Sequence, residues 1–136
     1  MIDRRAKLLP VVWLMMLLGC EDYTRASEPV WDKQPCAHCH MLVSDPRFAA
    51  QLVTHGHERL YFDDPGCLAA YMQAHPTELE RAWVHSDAGW TPTERAHFKS
   101  GASSPMGYGF IADATGEHDF AAVSGAASTR RTGGSL

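Results

Sequence analysis

No phosphate-binding glycine loop, paired-carboxylate motif or serine, histidine and acid set can be read in this sequence, so an enzymatic assignment has nothing to rest on. Basic residues are few: 12 Lys and Arg stand against 16 Asp and Glu, for a formal net charge of −4. That balance argues against nucleic acid or an anionic lipid surface as a partner. No internal repeat is present. The apolar run from Leu8 to Leu18 is shorter than the roughly 20 residues a membrane-spanning helix needs.

What is present begins at the N-terminus. Arg4, Arg5 and Lys7 precede that run, which ends in Leu17-Leu18-Gly19-Cys20, the pattern of a cleaved secretion signal with a lipobox. Residues 1–19 are expected to be removed and Cys20 to carry lipid. This puts the rest of the chain in the periplasm of a Gram-negative bacterium, anchored to a membrane. Cleavage takes away three basic residues and one acidic one and moves the formal charge from −4 to −6. Residues 20–34 are polar and read as a flexible tether. Residues 35–123 form one small domain, and residues 124–136, rich in Gly, Ser, Ala and Thr, read as a disordered tail.

Within the domain the pattern is α+β. Phe48 to Val53 and Arg59 to Phe62 read as strands around the turn His55-Gly56-His57. Asp64-Pro65 then supplies an N-cap and a first-turn proline, and Cys67, Leu68, Tyr71 and Met72 recur at helical spacing until His75-Pro76. Ala82 to His85 is a short strand candidate before the turn Asp87-Ala88-Gly89. A second, cruder β-β-α unit is drawn from Arg95 to Lys99, Tyr108 to Ala112 and Glu117 to Val123.

The chemistry concentrates in Cys36-Ala37-His38-Cys39-His40-Met41, where six residues hold five soft or borderline metal ligands. Thiolate and thioether sulfur favour Cu(I), imidazole suits zinc and copper, and no neighbouring carboxylate suggests calcium or magnesium. With Cys20 assigned to lipid, Cys36, Cys39 and Cys67 form an odd set, which favours a ligand role over a disulfide scaffold. If the segment is extended, Cys39 and Met41 share a face while His38 and His40 take the other. Cys36 joins them only if the chain turns at Ala37-His38. Met106, in the loop Ser103-Ser104-Pro105-Met106-Gly107-Tyr108-Gly109, is the candidate third donor, against gap-filling as the ordinary role of a methionine. Met72 and Cys67 read as core residues, and His55 and His57 as a solvated turn.

Taken in order, Cys39-His40-Met41, Phe48-Ala49-Ala50-Gln51, Phe62-Asp63-Asp64-Pro65-Gly66-Cys67 and Pro105-Met106-Gly107-Tyr108-Gly109-Phe110 resemble the NosL-type accessory lipoproteins of nitrous oxide reductase. The resemblance covers roughly residues 20 to 123. It implies a fold of two small β-β-α-β units packed side by side, and a Cu(I) chaperone serving nitrous oxide reductase or its maturation complex. It puts the family's Cys-x-Met motif on Cys39 and Met41 and a candidate third sulfur at Met106, and the residues themselves leave Cys36 or one of His38 and His40 as an optional further donor. His40 stands where glycine is usual in that family.

Three other readings use the same residues. Cys36-Ala37-His38-Cys39-His40 is formally a c-type haem attachment motif, with His40 and Met106 as axial ligands. A Cys-x-x-Cys thiol-disulfide oxidoreductase would need the motif at a helix start, and Leu42-Val43-Ser44-Asp45-Pro46 is a poor one. Zinc storage is disfavoured by the thioethers.

Overall fold

The computed structural model describes residues 19–133. The signal segment before Gly19 therefore lies outside the described residues. Among the described residues, besides the 3-10 turns Pro46–Phe48 and Thr93–Arg95, there are six strands and two α-helices: β1 (Ala50–Thr54), β2 (Arg59–Phe62), α1 (Pro65–Ala74), β3 (Leu79–Ser86), β4 (Gly89–Pro92), β5 (Phe98–Ser100), β6 (Phe110–Ala112) and α2 (Phe120–Gly133). The first four strands form an antiparallel sheet in the order β2-β1-β3-β4, and β5 pairs with β6 in a second, smaller one. The α+β class and the two β-β-α units expected from the sequence are both present, with α1 and α2 packed on each other.

Central placement explains β1. It pairs with β2 on one side and β3 on the other, and all five of its residues are buried. Strand β2 leads directly into α1, where Asp64 Oδ1 accepts from the Gly66 N–H at 2.8 Å and Pro65 opens the first turn. The helix stops at Ala74, with the His75 N–H closing on Tyr71 O before Pro76. The chain then returns as β3 alongside β1. This path sets the β2–α1 junction at one end of the sheet, over its helix-covered face.

Two segments expected to be unstructured are held in place. The tether has no regular secondary structure but lies along the sheet, because Gln51 offers it a peptide-like partner. Its Oε1 accepts from the Ser27 N–H at 3.0 Å and its Nε2 donates to Ser27 O at 2.9 Å. Tyr61 also donates to Ser27 O, Arg59 reaches Glu21 and Asp22 O, and Trp90 donates to Glu28. The expected disordered tail from Ser124 is instead the body of α2, which continues to Gly133 and buries Val123 and Ala127. Its small residues bring it close to α1, and Gln73 Nε2 donates to Ser124 O at 2.7 Å. Among the described residues no helix is long and apolar enough to cross a membrane.

Candidate metal centre

The Cys36–Met41 segment turns back on itself rather than running extended. Pro35 bridges Leu42, the Cys36 N–H donates to Met41 O at 2.7 Å, and the His40 N–H donates to Cys36 O at 3.0 Å. A loop this tight needs a left-handed residue at its end, and His40 takes it at φ +67°. The chain thus turns at Ala37-His38, the condition under which Cys36 joins Cys39. The Cys39 N–H points at Cys36 Sγ at 3.5 Å.

A single backbone bond docks this loop on the sheet: Ala37 N–H donates to Tyr61 O at 2.8 Å. That sets the two sulfurs against the β2–α1 junction, which contributes Asp63 just after β2 and Cys67 in the first turn of α1. The ligand atoms of Cys36, Cys39, Asp63 and Cys67 all lie within 4.8 Å of one another. Metal–sulfur bonds are about 2.3 Å, so two donors on one ion sit at most about 4.6 Å apart. A slight contraction would close the four donors on an ion. Cys36 and Cys67 have no exposed surface and Asp63 is 4% exposed, so Cys39 forms the outer lip.

The protons are unevenly shared. The Cys67 thiol and the N–H groups of Cys39, Asp63 and His38 all bond the Cys36 sulfur and hold its pKa down at about 6 against the cost of burial. Cys39 is pushed up to about 12, by burial first, then by the Asp63 carboxylate that accepts its thiol at 3.2 Å and by Cys36. Cys67 is driven up by its bond to Cys36, by burial and by the surrounding negative charge. Of the three sulfurs, Cys36 is therefore the one most readily held as thiolate, while Cys39 and Cys67 hold their protons more tightly.

The other expected donors are not in this group. Met41 is 59% exposed, and its backbone N–H rather than its side chain bonds the Cys39 sulfur. His38 and His40 are exposed at the loop tip. Desolvation, His40 and His75 push the His38 imidazole down against the pull of Asp63. Met106 is half-buried and packs against the core cluster that contains Cys36 and Cys67. Its loop is pinned: Met106 N–H donates to Asp64 Oδ2 at 3.0 Å, and Met106 O accepts from Arg130 Nη1 at 2.7 Å. The Arg130 guanidinium lies 3.7 Å over the Tyr108 ring, which covers Gly66 so closely that any side chain there would overlap it.

Cys67, read from the sequence as core, is in the core and is also a candidate donor, and Asp63, not singled out, is the candidate donor that sequence reasoning missed. Adjacent Asp63-Asp64 was its signal, since one aspartate suffices to cap the helix. The same geometry disfavours two of the alternative readings. The Cys-x-x-Cys pair occupies a hairpin turn, away from the helix start an oxidoreductase would use. A haem bonded to Cys36 would have to displace Asp63 and Cys67 from a sulfur with no exposed surface.

No family model matches the chain, and no curated protein sequence matches it. Among solved structures, its fold is similar to that of the copper chaperone NosL from Shewanella denitrificans, with a TM-score of 0.54 and 14% sequence identity over 66% of this chain and 79% of that one. At that identity the likeness is one of fold.

Proposed function

We propose that the chain is a Cu(I) metallochaperone, lipid-anchored through Cys20 in the periplasm, that takes copper into the Cys36, Cys39, Cys67 and Asp63 cluster and passes it to a copper enzyme such as nitrous oxide reductase. The observation that carries this reading is the convergence of three cysteine sulfurs and one carboxylate within 4.8 Å. Similarity of fold to a copper chaperone supports it. The anchor and compartment rest on the lipobox, and the recipient enzyme rests on the sequence resemblance.

Soft sulfur selects Cu(I) over harder ions. Cys36 meets the ion already as thiolate, while Cys39 and Cys67 give up protons as it binds. Export needs a weaker donor nearer the surface. Met41, two residues from Cys39 and 59% exposed, supplies a neutral thioether for stepwise ligand exchange. Met106, held at the half-buried side of the site, would be a second thioether.

Zinc is the second reading, favoured by the oxygen of Asp63, a donor that zinc accepts and Cu(I) takes poorly. Anaerobic competition against Cu(I)- and Zn(II)-selective chelators, with metal-edge absorption spectra of each loaded form, separates the two. The copper reading expects a sulfur-dominated shell and Cu(I) binding that collapses in both Cys39→Ser and Cys67→Ala. Unchanged Cu(I) affinity in both variants would overturn it. Tight zinc beside weak copper would favour the second reading.

A further inference from the structure

We infer that the protein stands upright on the bilayer that holds its lipid, with the β1–β2 hairpin end against the headgroups and the cysteine and aspartate cluster at the far end. The inference rests on the anchor reading and extends it from attachment to orientation.

A free tether would decide nothing about orientation. From Cys20 to Cys36 the chain takes 16 residue steps, up to about 55 Å when extended. The cluster could then touch the membrane or stand well clear of it. The fold removes that freedom from the first residue after the anchor. Glu21 Oε1 pairs with Arg59 Nε at 2.9 Å, and the Arg59 side chain, only 5% exposed, also donates to Asp22 O at 3.0 Å and to Gln51 Oε1 at 2.7 Å. Tyr23 takes the Arg59 guanidinium over its ring at 5.7 Å and the His57 ring stacked against it at 5.3 Å. Ser27 then exchanges two hydrogen bonds with the fully buried amide of Gln51, and Pro29 is buried. Residues 20–34 are therefore a strap.

The contacts fall in order along β2. Glu21, Asp22 and Tyr23 meet Arg59 and His57 at the hairpin end, Ser27 meets Tyr61 further along, and Ala37 meets Tyr61 O beside the cluster. The lipidated residue is thus held at one end of the strand and the cluster at the other. Four residues of extended chain from Arg59 to Asp63 separate them by about 13 Å. The hairpin end is a polar base: His55, His57, Glu58 and Glu78 are exposed there, and the His55 N–H donates to Glu78 O. Such a base rests on headgroups, while the acyl chains supply the hold. Its carboxylates suit zwitterionic headgroups better than anionic ones. Val30, Met41 and Leu42, large apolar side chains that are exposed, lie on or beside the Cys36 loop instead. The cluster is offered on the aqueous side, to a partner that stands off the membrane.

The test places the full lipidated chain, isotope-labelled, in phosphatidylcholine nanodiscs doped with a gadolinium-chelating lipid, and reads the paramagnetic broadening of its backbone amides. Broadening should be several-fold stronger at residues 55–58 than at residues 38–41. A flexible Gly-Ser spacer between Cys20 and Glu21 keeps every strap contact but frees its foot, and should flatten this gradient. Arg59→Ala, which cuts the contacts to Glu21 and Asp22, should flatten it in part and leave Cu(I) affinity as in the wild type. If Arg59→Ala does not fold, the spacer variant decides. Equal broadening at the two ends of the wild-type chain, stronger broadening at residues 38–41, or a gradient that survives the spacer would overturn the inference. Mass spectrometry of Cys20 keeps the two ideas separate. A lipidated chain without the gradient sinks only this inference, whereas Cys20 without lipid sinks the anchor reading and this one with it.

Discussion

The two loops that bring sulfur toward the site differ in how much support they take from the rest of the chain. The Cys36–Met41 loop closes on its own backbone, through the Cys36–Met41 and His40–Cys36 hydrogen bonds, and needs one bond from Tyr61 O to dock. The loop carrying Met106 also closes on itself, with the Gly107 N–H on Ser104 O and the Gly109 N–H on Ser104 Oγ, but it is held from outside as well, by Asp64 at the head of α1, by Arg130 from α2 and by the seat of Tyr108 on Gly66. The first is local and places thiols, whereas the second depends on the whole second unit and places a thioether. Self-closed geometry suits the groups that hold the ion. Borrowed geometry suits a group that can let go.

This contrast is open to several breaks. The largest effect is expected from the thiols: Cys39→Ser and Cys67→Ala should weaken Cu(I) binding by more than the roughly 10–100-fold that loss of an outer partner costs a metal site. Met106→Leu, which preserves size, should cost far less and leave the fold intact. Competition titrations of the variants read both. Equal losses at Cys67 and Met106 would erase the distinction between the loops.

Proton release sharpens the comparison next. Cys36 lies at about 6, whereas Cys39 is pushed up to about 12 and Cys67 also upward. Metal binding therefore displaces two protons above pH 6 and a third below it, so apparent affinity falls as pH falls and does so more steeply under acid. Each displaced proton contributes about tenfold in affinity per pH unit. Calorimetry in buffers of different ionisation enthalpy counts the protons. A count of zero near pH 7 would mean that the thiols do not bind.

Arg130→Ala should act on the borrowed loop alone. Because it supports a thioether's loop, its loss should fall at the low end of what an outer partner costs, about tenfold in copper affinity, and its effect should vanish in a Met106→Leu background while its effect on melting temperature persists. Additive losses of copper affinity in the double variant would mean that Arg130 does not work through Met106. Gly66→Ala, which drives a methyl group into the Tyr108 ring, should destabilise by about 1–3 kcal/mol. A melting curve reads it.

Legibility in the sequence follows the same division. The hairpin turn at His55-Gly56-His57 and the start of α1 were readable because their signals are local: a turn between two apolar strands, and Asp64-Pro65 at a helix cap. Cys67 was not, because helical spacing marks it as buried and only the chain packed across from it decides whether a buried thiol is core or ligand. That chain is the Cys36 loop, brought there by the non-local Ala37–Tyr61 bond. Helix α2 was hidden by composition, since alanine, glycine and serine resemble a disordered tail until α1 offers a surface that small residues fit. Gln51, a fully buried amide inside an apolar strand, was the overlooked sign that the tether had a place to lie.

The smallest expected effect compares the two loops at one backbone angle. His40 sits at φ +67° and Gly107 at φ +70°, so each loop takes the left-handed conformation at the residue next to a sulfur donor, one with a side chain and one without. An L residue pays roughly 1 kcal/mol or more there, although histidine is among the types that tolerate it. Glycine removes that strain but loosens the unfolded chain, an opposing effect of about 0.4–1 kcal/mol. His40→Gly should therefore leave stability unchanged or raise it slightly. Copper affinity should stay within about twofold, a change of under about 0.5 kcal/mol, because the loop is closed by the backbone N–H of His40 and its ring is exposed. His40→Val keeps the closing N–H but puts a β-branched residue at positive φ, so it should destabilise the loop and lower the melting temperature. A large loss of Cu(I) affinity in His40→Gly, with the melting temperature intact, would instead make the His40 imidazole a ligand. The exposed tip of the self-closed loop would then share in holding the ion.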